Sequence, residues 1–147
     1  MLQLKIKRLT NTATLPTKAH PTDACFDIYA DLGKEEATCI LPHQTRKINT
    51  GFATEIPHGY WGAIFARSGI ATKQSLRPAN CVAVIDEPYR GEWLIPLHND
   101  SENIQEIHHG DRIAQFMLLP YFDTNLIEVE ELDETERGSG GFGSTGS

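Results

Sequence analysis

The segment at residues 137–147 contains one arginine and one phenylalanine among glycines, serines and a threonine. Glycine backbones can approach phosphates closely and offer N–H donors, arginine supplies a forked cation, and phenylalanine supplies a stacking face. Composition alone predicts a flexible end. The single Arg137 and Phe142 instead favour a loop that can close over a nucleoside triphosphate.

Two common glycine motifs do not fit this segment. Gly138-Ser-Gly140-Gly-Phe-Gly143 satisfies GxGxxG, but a dinucleotide fingerprint must follow a strand and open a helix. The few residues after Gly143 cannot form that helix. A phosphate-binding P-loop also fails, because Ser144 stands where its lysine belongs.

A second candidate is Ala66-Arg67-Ser68-Gly69, between a strand-like run and a possible helical turn. Backbone N–H groups there, together with the Ser68 hydroxyl, could hold a phosphate. Ala66 replaces the first glycine of GxSxG, which argues against a hydrolase nucleophile. Taken alone, an ordinary surface turn explains the segment equally well.

The third candidate runs from Asn80 to Gly91 and places Asp86 at the end of an apolar strand, before Glu-Pro-Tyr-Arg-Gly. A carboxylate at the end of a buried strand is costly unless it is paired or functional. Asp86 is therefore either a turn cap or a reactive group.

The elements that must position these residues are short strands. Apolar residues recur with period two or in runs of four to eight, separated by 12 glycines and 8 prolines and by Asn and Asp. The pattern predicts an all-β fold, a compact barrel or sandwich, with one short helical turn at residues 69–76. The predicted strands are residues 2–9, 26–30, 46–56, 60–66, 81–85, 93–98, 104–108, 112–119 and 126–129.

Composition narrows the class of partner. The net charge of −7, with no basic stripe, argues against nucleic acid. A polyanionic substrate would require arginines concentrated at one place and help from a divalent cation. No apolar run approaches the ~18 residues that a membrane span needs.

Other features predict an intracellular, cytoplasmic protein, with the nucleus or a virus-infected cell left open. The N-terminal residues alternate between apolar and charged, unlike a signal peptide. Cys25, Cys39 and Cys81 are odd in number and widely spaced, so we expect buried or half-buried reduced thiols. The six histidines lack metal-ligand spacing, and we expect them on the surface or in loops.

Five segments, in order, resemble the five motifs of trimeric dUTPases. Together they span residues 24–146. The segments are Ala24-Cys-Phe-Asp27-Ile, Arg67-Ser-Gly69, Val84-Ile-Asp86-Glu-Pro-Tyr89-Arg-Gly91, Gly110-Asp-Arg-Ile-Ala-Gln115 and the glycine-rich residues 137–146.

The resemblance implies hydrolysis of dUTP to dUMP and pyrophosphate, with Asp86 as the general base for water attack on the α-phosphorus. Mg²⁺ would bind the substrate phosphates and meet protein carboxylates through water, Asp27 among them. Tyr89 would exclude a 2′-hydroxyl, and Phe142 would stack on uracil. The slot for uracil would be lined by Asn80, Ala83, Val84 and Ile85. The remaining substrate contacts would come from Arg67, Ser68, Gly69, Gln115, Arg137, Gly143, Ser144 and Thr145.

The same resemblance implies a β-barrel or jelly-roll-like homotrimer with three shared active sites. Residues 1–127 would form the barrel, and residues 128–147 a flexible arm. Each site would take its third motif from one subunit, motifs one, two and four from a neighbour, and the arm from the third. The acidic stretch at residues 128–136 would be the part that crosses over.

Three residues depart from the family pattern. Cys25 and Ala83 replace usual glycines, and the Ala83 methyl could narrow the uracil slot. Pro88 stiffens the turn after Asp86 and removes an N–H. We expect altered rate or affinity but retained activity.

Two alternatives remain. dCTP deaminases resemble dUTPases but place a catalytic glutamate where this chain has Pro96, which cannot move protons. A dUTP-binding regulator with little turnover is the other, although Asp86, Arg137 and Phe142 would serve no chemical need in a pure binder.

Overall fold

The computed structural model describes residues 2–141. It contains eleven short strands and one helix in that range, so the all-β prediction is confirmed. The strands are β1 (Lys5–Arg8), β2 (Phe26–Tyr29), β3 (Ala37–Ile40), β4 (Thr45–Ile48), β5 (Phe52–Glu55), β6 (Tyr60–Phe65), β7 (Leu76–Pro78), β8 (Ala83–Ile85), β9 (Ile95–Asn99), β10 (Gln105–His108) and β11 (Arg112–Pro120), and α1 spans Ser68–Gln74.

Two antiparallel sheets enclose the core. One has the strand order β2-β11-β6-β8, and the other has the order β4-β9-β7. Two-stranded pairs, β1 with β5 and β3 with β10, complete the fold. Trp93 lies at the centre, fully buried, with Phe52 and Phe116 at ring-centroid distances of 5.3 and 4.8 Å. Both sheets therefore share one apolar core.

The single strand predicted over residues 46–56 is wrong, because the chain changes sheets there. β4 pairs with β9, whereas β5 pairs with β1. Gly51 has φ +68°, and the Glu92 carboxylate accepts hydrogen bonds from the N–H groups of Thr50 and Gly51 at 3.1 and 2.8 Å. This capped turn redirects the chain from one sheet to the next.

Other local predictions also differ from the structure. The sequence did not predict β3 or β7, and residues 126–129 form no strand within the described chain. The thiols of Cys39 and Cys81 are exposed, and only Cys25 is half-buried as predicted. Across residues 2–141, no helix has the length and apolar character needed to cross a bilayer.

Candidate active site

The four-stranded sheet brings the first, second and fourth motifs together. On the central strand β11, Gln115 lies opposite Asp27 of β2 on one side and opposite Phe65 of β6 on the other. Helix α1 begins at Ser68, just after β6, with Arg67 in extended conformation as its N-cap. Three segments distant in sequence thus meet at one end of these strands.

Asp27 lies between two arginines at this end of the strands. Its Oδ1 lies 2.6 Å from Arg67 Nε, and its Oδ2 lies 3.3 Å from Arg112 Nη1. The Asp27 side chain is only 12 % exposed, and its carboxylate forms ion pairs with both guanidinium groups. The motifs predicted no role for Arg112, although this residue lies inside the fourth motif.

Asp27 and Arg67 line a cleft of ≈330 Å³. Gln115 is fixed there because its Nε2 donates to Ala66 O at 2.9 Å. Burial raises the pKa of the Cys25 thiol on the cleft wall, which favours the protonated form. The lining residues are Ala19, Asp23, Ala24, Cys25, Asp27, Arg67, Ser68 and Gln115. Gly69 lies in an adjoining cleft with Lys73 and Arg112.

The third motif occupies a different place in the same subunit. On β8, Ile85 pairs with Gly62 near the start of β6, and the strands are antiparallel. Arg67 comes five residues after Gly62 along the chain, which corresponds to roughly 16 Å of extended strand. Asp86 is therefore not in the arginine-lined cleft of its own subunit.

Asp86 is exposed, and β8 is buried only in part, so the expectation of a carboxylate at the end of a buried strand is wrong for the isolated chain. None of the described residues donates a hydrogen bond to its carboxylate. Val84, beside it, is 56 % exposed. Both residues line an open cleft of ≈390 Å³ with Trp61, Pro88 and Tyr121.

The turn after Asp86 holds Tyr89 in a defined position. The Tyr89 N–H donates to Asp86 O at 3.0 Å, and its hydroxyl donates to Glu92 O at 2.9 Å. A Cβ on Gly91 would lie 2.5 Å from the Tyr89 hydroxyl oxygen. The ring therefore lies directly on Gly91, where any side chain would displace it.

On the strand side of the motif, Ala83 is buried in the core and Asn80 is exposed. The Ala83 methyl packs among core residues, away from the exposed face that carries Val84. The methyl therefore does not narrow a slot on that face.

After Pro120 the chain is exposed at every residue from 121 to 139. Large apolar side chains in this segment are uncovered, including Leu126 at 91 % and Leu132 at 86 %. Arg137 lies in a turn and donates from Nε to Gly140 O at 2.9 Å. The predicted contacts of Phe142, Gly143, Ser144 and Thr145 lie outside the described residues.

The described side chains around the cleft do not form a metal site made of protein ligands alone. Within residues 2–141, no group of three or more His, Cys, Asp or Glu side chains could hold a metal. Both Asp27 oxygens face arginine, although each retains lone-pair capacity for a water. These residues fit a Mg²⁺ ion that is ligated mainly by substrate phosphates and water.

Comparison with known proteins identifies the family of this chain. A sequence model of the dUTPase family matches residues 11–146. Proteins named deoxyuridine 5′-triphosphate nucleotidohydrolase from Desulfitobacterium hafniense and Clostridioides difficile are 45 % and 41 % identical, with 99 % of each chain covered.

Solved structures give the same result. The Staphylococcus bacteriophage 80alpha dUTPase with dUpNHpp superposes with a TM-score of 0.88 at 30 % identity, over 100 % of both chains. A variant of the dUTPase from phage phi11 of S. aureus, described as coordinating a structural Mg(II) ion, gives 0.80 at 26 % identity and covers 90 % of this chain and 100 % of its own. The chain described here belongs to the dUTPase family.

Proposed function

We propose that this protein hydrolyses dUTP to dUMP and pyrophosphate, which limits uracil incorporation into DNA and supplies dUMP for thymidylate synthesis. The observation that carries the proposal is the convergence of Asp27, Arg67 and Gln115 on one cleft. In addition, relatives that match this chain over 99 % of their length are named for this activity. This role also predicts an intracellular, cytoplasmic protein.

The triphosphate binds at the arginine-lined cleft. Arg67 is held by Asp27 and keeps further N–H donors for phosphate oxygens. Ser68 and Gly69 contribute the hydroxyl and backbone N–H groups at the start of α1, and Gln115 completes the wall. Arg112, also paired with Asp27, joins this set. The arginines thus concentrate positive charge in a protein of net charge −7.

Asp86 acts as general base. It removes a proton from the water that attacks the α-phosphorus, and such a group contributes ~10²–10⁴-fold to the rate. Uracil lies along the exposed side of the segment that includes Asn80 and the β8 backbone. Tyr89, fixed over Gly91, packs against the deoxyribose and leaves no room for a 2′-hydroxyl.

The active protein is a homotrimer with shared sites. A general base must lie within hydrogen-bond reach of its water. Asp86 follows Ile85, which pairs with Gly62, and Arg67 lies roughly 16 Å farther along the chain from Gly62, so Asp86 cannot serve the cleft of its own subunit. Asp86 of one subunit instead meets Arg67 of another. The arm, residues 128–147, crosses from a third, which would cover its exposed Val129 and Leu132 and bring Arg137, Phe142, Gly143, Ser144 and Thr145 to the substrate.

Mg²⁺ is the expected cofactor. When bound, it neutralises phosphate charge and orients the triphosphate. Asp27 would meet its hydration shell while continuing to hold the two arginines.

A pyrophosphate-release assay tests the proposal. The protein should turn over dUTP in the presence of Mg²⁺ and show little activity with dCTP, dTTP or UTP. Ammonia release from dCTP would support a deaminase, although Pro96 on β9 offers no proton-transfer group. No turnover of any nucleotide would refute the proposed hydrolysis.

A second candidate is regulation by a dUTP-bound form. Phage dUTPases, the 80alpha protein among them, are described as controlling transfer of virulence genes by a proto-oncogenic G protein-like mechanism. Binding of dUTP without pyrophosphate release would favour such a role here.

A further inference from the structure

Residues 79–82 connect the two principal sheets. β7 ends at Pro78 in one sheet, and β8 begins at Ala83 in the other. Asn80 and Cys81 in this link are exposed, and Cys81 adopts φ +61°, an uncommon conformation for a residue with a side chain. Two backbone hydrogen bonds hold the link: the Ala79 N–H donates to Pro96 O at 2.8 Å, and the Cys81 N–H donates to Pro78 O at 3.0 Å.

The Arg77 side chain reaches along this link and adds three contacts. Its Nη1 lies 3.2 Å from Ala79 O, 3.4 Å from Pro78 O and 3.8 Å from Cys81 Sγ. The position of Asn80, between Ala79 and Cys81, therefore depends on where this guanidinium group is held.

Asp100 fixes the guanidinium group from the other side. Its two carboxylate oxygens accept from Arg77 Nε at 2.7 Å and Nη2 at 3.1 Å, a forked pair with defined geometry. Asp100 is itself anchored, because its N–H donates to Ser75 O at 2.9 Å. The two side chains are 36 % and 45 % exposed, so the pair contributes little to global stability. Its geometric effect on the link is separate from that.

We propose that Arg77, oriented by Asp100, is a positioning residue for the base-binding slot and sets its selectivity for uracil. The inference rests on the proposed function, in which Asn80 and β8 contact the base. With Arg77 in place, the backbone groups of the link stay at fixed positions, so hydrogen bonds to uracil form without prior ordering of the loop. Cytosine, with a donor where uracil has an acceptor, is penalised only while those positions are fixed.

The test compares Arg77→Met, Arg77→Lys and Asp100→Asn with the wild-type protein. For Arg77→Met we expect the KM for dUTP to rise about tenfold, the scale of one lost charge-assisted hydrogen bond. The dUTP-to-dCTP ratio of kcat/KM should fall by a similar factor, and kcat should be largely retained. Arg77→Lys keeps the charge but not the fork, and should show an intermediate effect.

Glu55→Gln is the matched control, because it breaks the exposed Lys5–Glu55 ion pair on the β1–β5 pair of strands. It should leave both kinetic readouts unchanged. Hydrogen–deuterium exchange without nucleotide supplies a readout independent of activity. Amides in residues 79–82 should exchange faster in Arg77→Met and Asp100→Asn, but not in Glu55→Gln.

Unchanged exchange, KM and selectivity in the folded variants would overturn the positioning role, as would a loss confined to kcat. If Arg77→Met does not fold, Asp100→Asn decides by the same measurements. If the wild-type protein does not hydrolyse dUTP, the proposed function fails. Unchanged exchange would then also reject Arg77 as the group that orders the link.

Discussion

At the scale of single residues, the Asp86 carboxylate is exposed in the single chain, and the proposed function places it at the cleft of a second subunit. The Asp86→Asn variant should bind dUTP with near wild-type affinity and turn over at least ~10²-fold more slowly, because the amide cannot accept the proton. Single-turnover kinetics and a separate binding measurement check this. Glu102→Gln, at an exposed carboxylate paired with His43, is the control. Comparable turnover in Asp86→Asn would assign the base to another residue.

Asp31 is a second informative carboxylate, and it concerns stability. It is 5 % exposed and accepts hydrogen bonds from the hydroxyls of Thr10 and Thr12 and from the Gly33 N–H. Burial raises the pKa of Asp31. The hydrogen bonds and nearby His109 together lower it by more than burial raises it, so the pKa lies below its ordinary value.

Stability from Asp31 is therefore present above its unfolded pKa of about 4 and is lost as the pH falls through its folded pKa. Asp31→Asn should lower the free energy of unfolding by about 2 kcal/mol at pH 7, and the difference should shrink below about pH 4. Denaturant unfolding across that range measures it. Asp133→Asn, in the exposed arm, makes the same change of charge and should have no such effect. A pH-independent difference would assign the cost to packing alone.

At the scale of elements, the sequence located most strands because their alternation is local information. It did not reveal that residues 46–56 form two strands, because the break depends on Glu92, some forty residues away, which caps the turn at Gly51. β3 and β7 are short, and each contains a residue that hides the strand pattern: the polar Thr38 occupies a buried position of β3, and Pro78 ends β7. Residues 126–129 carry a strand-like pattern but lack a partner strand in the described chain.

The candidate site was predictable to a similar extent. The motifs identified Asp27, Arg67 and Gln115, but only the sheet order shows that they meet. The pairing of Asp27 with Arg112 depends on a contact between β2 and β11, which no local pattern contains.

The turn between Asp86 and Gly91 gives a prediction for the third motif. A methyl at position 91 would lie 2.5 Å from the Tyr89 hydroxyl oxygen and must displace the ring. Gly91→Ala should therefore raise kcat/KM for UTP relative to dUTP by about tenfold, the scale of a small steric discrimination. Tyr89→Phe keeps the ring and loses only the bond to Glu92 O, so it should retain most of the discrimination. Unchanged selectivity in Gly91→Ala would remove Tyr89 from ribose recognition.

At the scale of the whole molecule, the proposed function gives the arm and the sheets separable roles. Residues 137–141 add no strand to the described sheets, and within residues 2–141 the buried core ends with β11. Deletion of residues 137–147 should leave a folded trimer, by light scattering, with most dUTP hydrolysis lost because Arg137 and Phe142 no longer cover the substrate. A truncated protein with normal activity would show that the segment does not act as a lid, and a monomeric one would assign it to assembly.

Mixing two inactive proteins tests whether Asp86 and the arm come from different subunits. In trimers assembled from equal amounts of Asp86→Asn and the protein lacking residues 137–147, a site is intact only when a truncated subunit supplies Asp86 and a substituted subunit supplies the arm. Random assembly gives about one quarter of sites in that state, and none if one subunit supplies both groups. We expect pyrophosphate release to recover to that level after the subunits are unfolded and refolded together, and not when they are refolded apart and then combined without exchange. Native mass spectrometry verifies that mixed trimers form. Recovery absent from verified mixed trimers would mean that each arm closes over the Asp86 of its own chain.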